Sequence, residues 1–145
     1  MVLVGGGVAQ GRAVGLDLWS QKDLAYNRRE ATLANARAES VADRVDVRDG
    51  DMRQMPFNDA TFGAVMSSLA IHNVSSRAER RRAITEVVRM LRPDRQVALM
   101  DIAHGGWYAD DLRSAGLRQV DIVGYSPLIF PPTRVLVGES EVAWL

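Results

Sequence analysis

Short β-rich runs alternate with helical ones along most of this chain, and that alternation constrains its fold more than any other feature. The first clear strand is Ala13–Leu18. A helix is expected from Asn27, with Glu30 three residues on in a capping-box relation. Ala31, Ala34, Ala38 and Val41 keep to one face of it. Arg44–Arg48 alternates Val45 and Val47 with charges and reads as a second strand; Thr61–Ser68, with Phe62, Val65 and Met66, reads as a third. Over Arg77–Leu91, Ile84, Val87, Val88 and Leu91 fall at i, i+3, i+4 and i+7, which predicts a helix stopped by Pro93. Gln96–Ile102 is the next strand, and a short helix near Trp107–Ala115 ends at Gly116. Gln119–Tyr125 and Thr133–Gly138 are the last two strands. The loop between them, with Pro127, Pro131 and Pro132, is too short for a helical crossover, so that pair is antiparallel.

The pattern predicts a single α/β domain over residues 1–145. Its sheet is open, doubly wound and mostly parallel, in three αβα layers, with an antiparallel C-terminal strand pair. The beginning departs from the rule. Val2-Leu3-Val4 looks like a strand and Gly5-Gly6-Gly7 like a loop, yet only the eight residues Gly5 to Arg12 separate Val4 from Ala13. A parallel crossover with its helix needs at least about 10–12 residues. The first βα unit is therefore truncated: Val2–Val4 pairs antiparallel through a glycine-rich turn, sits elsewhere, or is disordered.

Composition removes several classes of function. The chain has no cysteine, hence no disulfide, thiolate ligand or thiol nucleophile. Formal net charge is zero, so no global field draws it to nucleic acid or to a membrane surface. Arg77, Arg80, Arg81, Arg82 and Arg89 read as a solvated helix face. No His/Asp/Glu spacing supports a metal site. No apolar run approaches the roughly 18 residues of a membrane span, and no secretory signal opens the chain, so a cytoplasmic location is expected. Lys22 is the sole lysine, with no motif around it. A nicotinamide-dependent oxidoreductase is a poor reading, because Asp17 lies too close to Gly5 and no tyrosine has a lysine four residues later.

Four strands end in small polar groups. Asp17 ends the first; Asp51 follows the second; Ser67 and Ser68, with His72, follow the third; Asp101, with His104, follows the fourth. In an open α/β sheet ligands bind outside the carboxyl ends of the strands, so these groups define one candidate rim.

Gly11–Trp19, Asn35-Ala36, Arg44-Val45, Gly50-Asp51-Met52-Arg53, Met55-Pro56-Phe57, Ser67–Asn73, Glu86 and Leu91-Arg92-Pro93 carry a resemblance. In order and spacing they are similar to class I S-adenosylmethionine-dependent methyltransferases, over nearly the whole chain from Gly11. The resemblance implies S-adenosylmethionine as cofactor and methyl transfer to a small-molecule acceptor. It implies that Asp17 accepts hydrogen bonds from the ribose hydroxyls and that Leu18 and Trp19 lie against adenine. Asp51 would accept from the exocyclic amine, the Met52 amide would face a ring nitrogen, and Ser67 and Ser68 would line the floor near the sulfonium. Gly5 and Gly7 would approach the amino-acid end. If the acceptor needs a base, His72 is the first candidate and His104 the second, since histidine takes a proton near neutral pH.

Departures from the family's pattern define the alternative. Residues 1–12 are an atypical remnant of its glycine-rich first unit, Gly63 stands where an acidic residue is common, and Asp94-Arg95 replaces a double glycine. The alternative is a non-catalytic, methyltransferase-like remnant acting in interaction or assembly, with a homodimer covering the sheet face that the lost helix would expose.

Overall fold

The computed structural model describes residues 2–5 (backbone), 11–20, 27–128 and 131–140. Its elements are β1 (Val2–Gly5), β2 (Ala13–Asp17), α1 (Arg29–Ala38), β3 (Val45–Asp49), β4 (Phe62–Ser68), α2 (Arg77–Met90), β5 (Leu91–Asp101), α3 (Gly105–Ser114), β6 (Leu117–Ser126) and β7 (Thr133–Ser140). The strands form one sheet in the order β3-β2-β1-β4-β5-β7-β6. Following the pairings, β2, β3, β4, β5 and β6 run one way, and β1 and β7 run against them. The sheet is thus mostly parallel in strand direction, and the expected antiparallel pairing of β6 with β7 is present.

Alternation along the strands shows where the core sits. Val65 and Ser67 of β4 are buried, whereas Met66 between them is 52% exposed. Val65, Val97, Leu99 and Leu136 form one apolar cluster with Ile84, Val87 and Met90 of α2 and with Tyr108 and Leu112 of α3. Those helical residues recur at i+3 and i+4, the spacing that turns side chains to one face. The β2→β3 and β4→β5 steps go opposite ways along the sheet, so right-handed crossovers place α1 and α2 on opposite faces.

Several local expectations are corrected. Asn27 does not cap α1: the cap position is Arg28, with no side-chain cap bond, and Asn27 Nδ2 donates instead to Asp17 Oδ1 at 3.1 Å. Helix α2 is capped by Ser76, whose Oγ accepts from the Glu79 amide at 3.2 Å. It stops at Met90, three residues before Pro93, and β5 begins at once. Between the pairs Phe62↔Leu91 and Ala64↔Gln96, β4 advances two residues and β5 five. Pro93, which has no amide to donate, and Asp94, at φ 61°, lie in that bulge. The Ser140 hydroxyl closes it, donating to the Arg92 carbonyl at 2.8 Å and accepting from the Arg95 amide at 3.0 Å.

At the N-terminus the chain takes the antiparallel option. β1 occupies the central slot between β2 and β4 but runs opposite to both, with Val2 beside Leu16 and Ser67 and Gly5 beside Ala13 and Ala64. Seven residues join Gly5 to its own partner Ala13, so reversal is the connection that the chain length permits.

Candidate functional site

The carboxyl ends of β2 and β4 lie two strand spacings apart, about 10 Å, with the start of β1 between them. Asp17 ends β2 and is in register with Asp49, which ends β3. Its Oδ1 accepts from the Trp19 amide at 2.8 Å and from Asn27, which turns the chain sharply away from the strand. Trp19 sits at φ 55°, a region bulky side chains rarely adopt. Its indole Nε1 is anchored on Asp49 Oδ1 at 2.7 Å. A recess of about 300 Å³ opens here, lined by Trp19, Asn27, Arg28, Arg29, Glu30 and Asp49. Leu18 projects into solvent beside it.

Asp51 and Met52 are held close by. The Gly50 amide donates to the Asp17 carbonyl at 3.1 Å, tying the loop after β3 to the end of β2. A Cβ on Gly50 would come within 2.6 Å of Leu16 Cδ1, so the close approach requires glycine. Asp51 receives Arg53 through both its amide and its guanidinium, and the same guanidinium reaches Glu79 on α2. These bonds to Arg53 hold the Asp51 carboxyl below its ordinary pKa. A second recess, about 810 Å³, lies between this loop and α2. Its charged walls pair with one another (Asp51–Arg53–Glu79–Arg82 and Glu86–Arg89), which makes it an ion-pair seam.

At the end of β4, Ser68 is exposed and Ser67 is 3% exposed. Among the described residues the buried Ser67 Oγ has no hydrogen-bond partner, an orphan that a polar ligand at this rim would satisfy. The chain then turns through Leu69, at φ 49°, into a 3-10 turn at Ile71–Asn73 that delivers His72 to the end of β5. His72 Nδ1 lies 2.5 Å from Asp101 Oδ1, and the His72 amide donates to Asp101 Oδ2 at 3.1 Å. His104 stacks on Trp107, centroids 4.8 Å apart, and meets the edge of Tyr108 at 6.1 Å. Arg77 lies over the same indole.

The rim therefore gathers Asp17, Leu18, Trp19, Asp51, Met52, Ser67, Ser68 and His72. It does not gather Gly5. The reversed β1 puts Gly5 beside the first residue of β2, at the opposite edge of the sheet, which corrects its expected place next to the ligand. Gly7 lies outside the described residues. One pairing and one group escaped the reading of the sequence. Asp101 stood among the strand-end groups but not as the partner of His72, and Tyr108 was not singled out; among the described residues its buried hydroxyl has no hydrogen-bond partner. Burial first, then the Asp101 charge, pushes the Tyr108 hydroxyl above its ordinary range. The only advance signal for Tyr108 was a hydroxyl on the apolar i, i+4 face it shares with Leu112.

Comparison with known proteins places this arrangement. An O-methyltransferase family protein from Burkholderia thailandensis superposes with a TM-score of 0.69 at 18% identity, over 90% of this chain and 44% of that one. A SAM-dependent methyltransferase from Methanosarcina mazei gives 0.69 at 13% identity, over 89% and 82%. At such identities the likeness is one of fold. In sequence, the 2-phytyl-1,4-beta-naphthoquinone methyltransferase of Arabidopsis thaliana chloroplasts is 33% identical over 91 residues, 63% of this chain and 32% of that protein. The demethylmenaquinone methyltransferase of Lactiplantibacillus plantarum is 31% identical over 93 residues, 64% and 35%. The chain thus spans about a third of the length of these curated relatives. A family model described as a methyltransferase domain matches residues 4–99. The chain belongs to this family, the class I S-adenosylmethionine-dependent methyltransferases.

Proposed function

We propose that this chain binds S-adenosylmethionine at the rim and transfers its methyl group to a small, ring-bearing acceptor of quinol type. The observation that carries the reading is the convergence of Asp17, the Asp51–Met52 loop and the orphaned Ser67 hydroxyl on one sheet edge. These residues fit the nucleoside half of the cofactor. Asp17 would accept from the ribose hydroxyls, Leu18 and Trp19 would flank adenine, and Asp51 with the Met52 amide would read its edge. Ser67 and Ser68 would face the sulfonium. For the amino-acid half, Gly5 supplies no partner.

Bound S-adenosylmethionine supplies an electrophilic methyl group. The protein's part is to align the acceptor and exclude water, and alignment alone supplies roughly 7–11 kcal/mol. The quinol assignment rests on the names of the two curated relatives. Calorimetry with S-adenosylmethionine and S-adenosylhomocysteine tests the proposal. No heat at millimolar ligand, in a folded sample, sinks it.

The same proposal includes a homodimer. Met66 on the sheet face and Ile122, Val123 and Tyr125 on the edge strand β6 leave apolar surface exposed, which favours a second copy. Among the described residues no helix is long and apolar enough to cross a membrane. Light scattering that returns a monomer at all concentrations removes the dimer.

A further inference from the structure

We propose that Asp101 and His72 form a proton-accepting pair for the acceptor, in which Asp101 fixes the tautomer of His72 and leaves Nε2 as the base. The inference rests on the methyl-transfer reading and adds to it the class of acceptor, one that must lose a proton from a hydroxyl.

Asp101 is a carboxylate with its side chain 2% exposed, at the last position of β5. It is fully committed to the turn that carries His72. Oδ2 accepts from the His72 amide, while Oδ1 accepts from the Ile102 amide at 2.8 Å and faces His72 Nδ1 at 2.5 Å. An ionised carboxylate offers lone pairs and no proton, so the ring nitrogen facing it must be the donor. Neutral His72 is therefore the Nδ1–H tautomer, and Nε2 carries the free lone pair. A histidine serving only to anchor a loop commonly satisfies both nitrogens. Here the ring is 20% exposed and, among the described residues, Nε2 has no hydrogen-bond partner.

Position supports the same role. The pair stands at the carboxyl ends of β4 and β5, five residues along the chain from the orphaned Ser67 hydroxyl that would face the sulfonium. Buried Arg80 donates to the Val74 carbonyl at 2.7 Å, which holds the chain just after the turn that carries His72. In the step itself His72 Nε2 takes the hydroxyl proton. The electron pair left on that oxygen, or on the ring carbon conjugated with it, forms the bond to the methyl carbon. The pair of the breaking S–C bond stays on sulfur, which becomes a neutral thioether.

The test has two arms. Long-range ¹H–¹⁵N spectra of the cofactor-free protein read the tautomer directly, and wild type is expected to show a protonated Nδ1 and a bare Nε2. Asp101→Ala removes the acceptor facing Nδ1 and is expected to populate the Nε2–H tautomer alongside Nδ1–H. His72→Asn keeps a donor at the Nδ1 position, so the turn survives while Nε2 is lost. With S-adenosylmethionine and 1,4-dihydroxynaphthalene as probes, His72→Asn is expected to bind the cofactor within about 3-fold of wild type and to transfer methyl groups about 10²–10⁴-fold more slowly. An Nε2–H tautomer in wild type, or wild-type transfer by His72→Asn, overturns the pair even where cofactor binding is intact. No cofactor binding by wild type that shows the Nδ1–H tautomer refutes the methyl-transfer reading and with it the role of the pair toward an acceptor, while the tautomer fixed by Asp101 stands.

Discussion

Replacing Arg89 by methionine should loosen the loop that presents Asp51 and Met52, and the cost can be worked from its contacts. Arg89 Nη1 donates to the Phe57 carbonyl at 2.8 Å and Nη2 to the Met55 carbonyl at 3.2 Å, while Nε donates to Glu86 Oε1 at 2.7 Å. Glu86 in turn accepts from the Met55 amide at 2.8 Å. Methionine keeps the aliphatic stem and removes every donor, so the Phe57 carbonyl loses its guanidinium partner, the Met55 carbonyl keeps only the Phe57 amide, and half-buried Glu86 keeps only the Met55 amide. Hydrogen bonds to a charged group are worth about 1.5–3 kcal/mol each, and water reaching a side chain that is 27% exposed returns part of that. The contact with Asp59 is exposed and adds little. A net loss of about 2–4 kcal/mol follows, a large share of the roughly 5–15 kcal/mol that holds a domain together. Urea denaturation should show a lower midpoint at unchanged slope, and calorimetry a Tm lower by about 4–16 °C at ~2–4 °C per kcal/mol. Asp59→Asn is the control and should stay within about 0.5 kcal/mol. If Arg89→Met costs no more than this control, the clamp is not what holds the loop.

Glu86 carries a pH signature of the same clamp. Arg89 holds its folded-state carboxyl below the ordinary value of 4.5, so its stabilisation is present above that pH and lost as pH falls through the depressed value. Glu86→Gln should therefore flatten the acid limb of a stability–pH curve below pH 4.5 and be less stable than wild type at neutrality. Asp17→Asn keeps the Oδ1 acceptor for Trp19 and Asn27 but removes the charge; titration calorimetry should show S-adenosylhomocysteine binding weakened by about 10–150-fold, and unchanged affinity would remove Asp17 from the site. Gly50→Ala drives a methyl group to 2.6 Å from buried Leu16 and should cost about 1–3 kcal/mol in chemical denaturation. Because Gly5 lies at the far edge, 5′-methylthioadenosine should bind within about 10-fold of S-adenosylhomocysteine, about one hydrogen bond's worth; a gap of a thousandfold would show that the amino-acid tail is held after all.

What could be read from the sequence follows the range of the interactions involved. Strands β2, β3 and β4 and helix α2 begin and end within a residue or so of their expected limits, because side-chain period is a local property of a strand or helix. The antiparallel β6–β7 pair follows from the length of a proline-rich loop. Asp17, Ser67 and Ser68 were visible because a strand end is itself a position in the fold. Local capping failed at Asn27, whose amide is worth more to the Asp17 turn than to the helix start. The pairing of His72 with Asp101 was hidden although both residues stood out singly. It depends on a 3-10 turn, entered through a left-handed Leu69, that swings a ring onto the end of a strand 29 residues away.

The reversed β1 shows the limit most sharply. Connection length forbids a parallel crossover, and that much is arithmetic; the central slot it fills is set by pairing with β4, some sixty residues on. A sheet tolerates the reversal because the slot must be filled for β2 and β4 to find ladder partners, and an antiparallel strand satisfies those backbone groups as well as a parallel one. The consequence is directional. Filling the slot backwards preserves the sheet, and with it the ends of β2, β3 and β4, where the proposal places the nucleoside. It moves Gly5, expected at the amino-acid end, to the far edge. Fold and the proposed nucleoside half of the site are thus kept by the same change that displaces Gly5, and for that reason tail dependence separates a rim that reads adenosine from one that reads the whole cofactor.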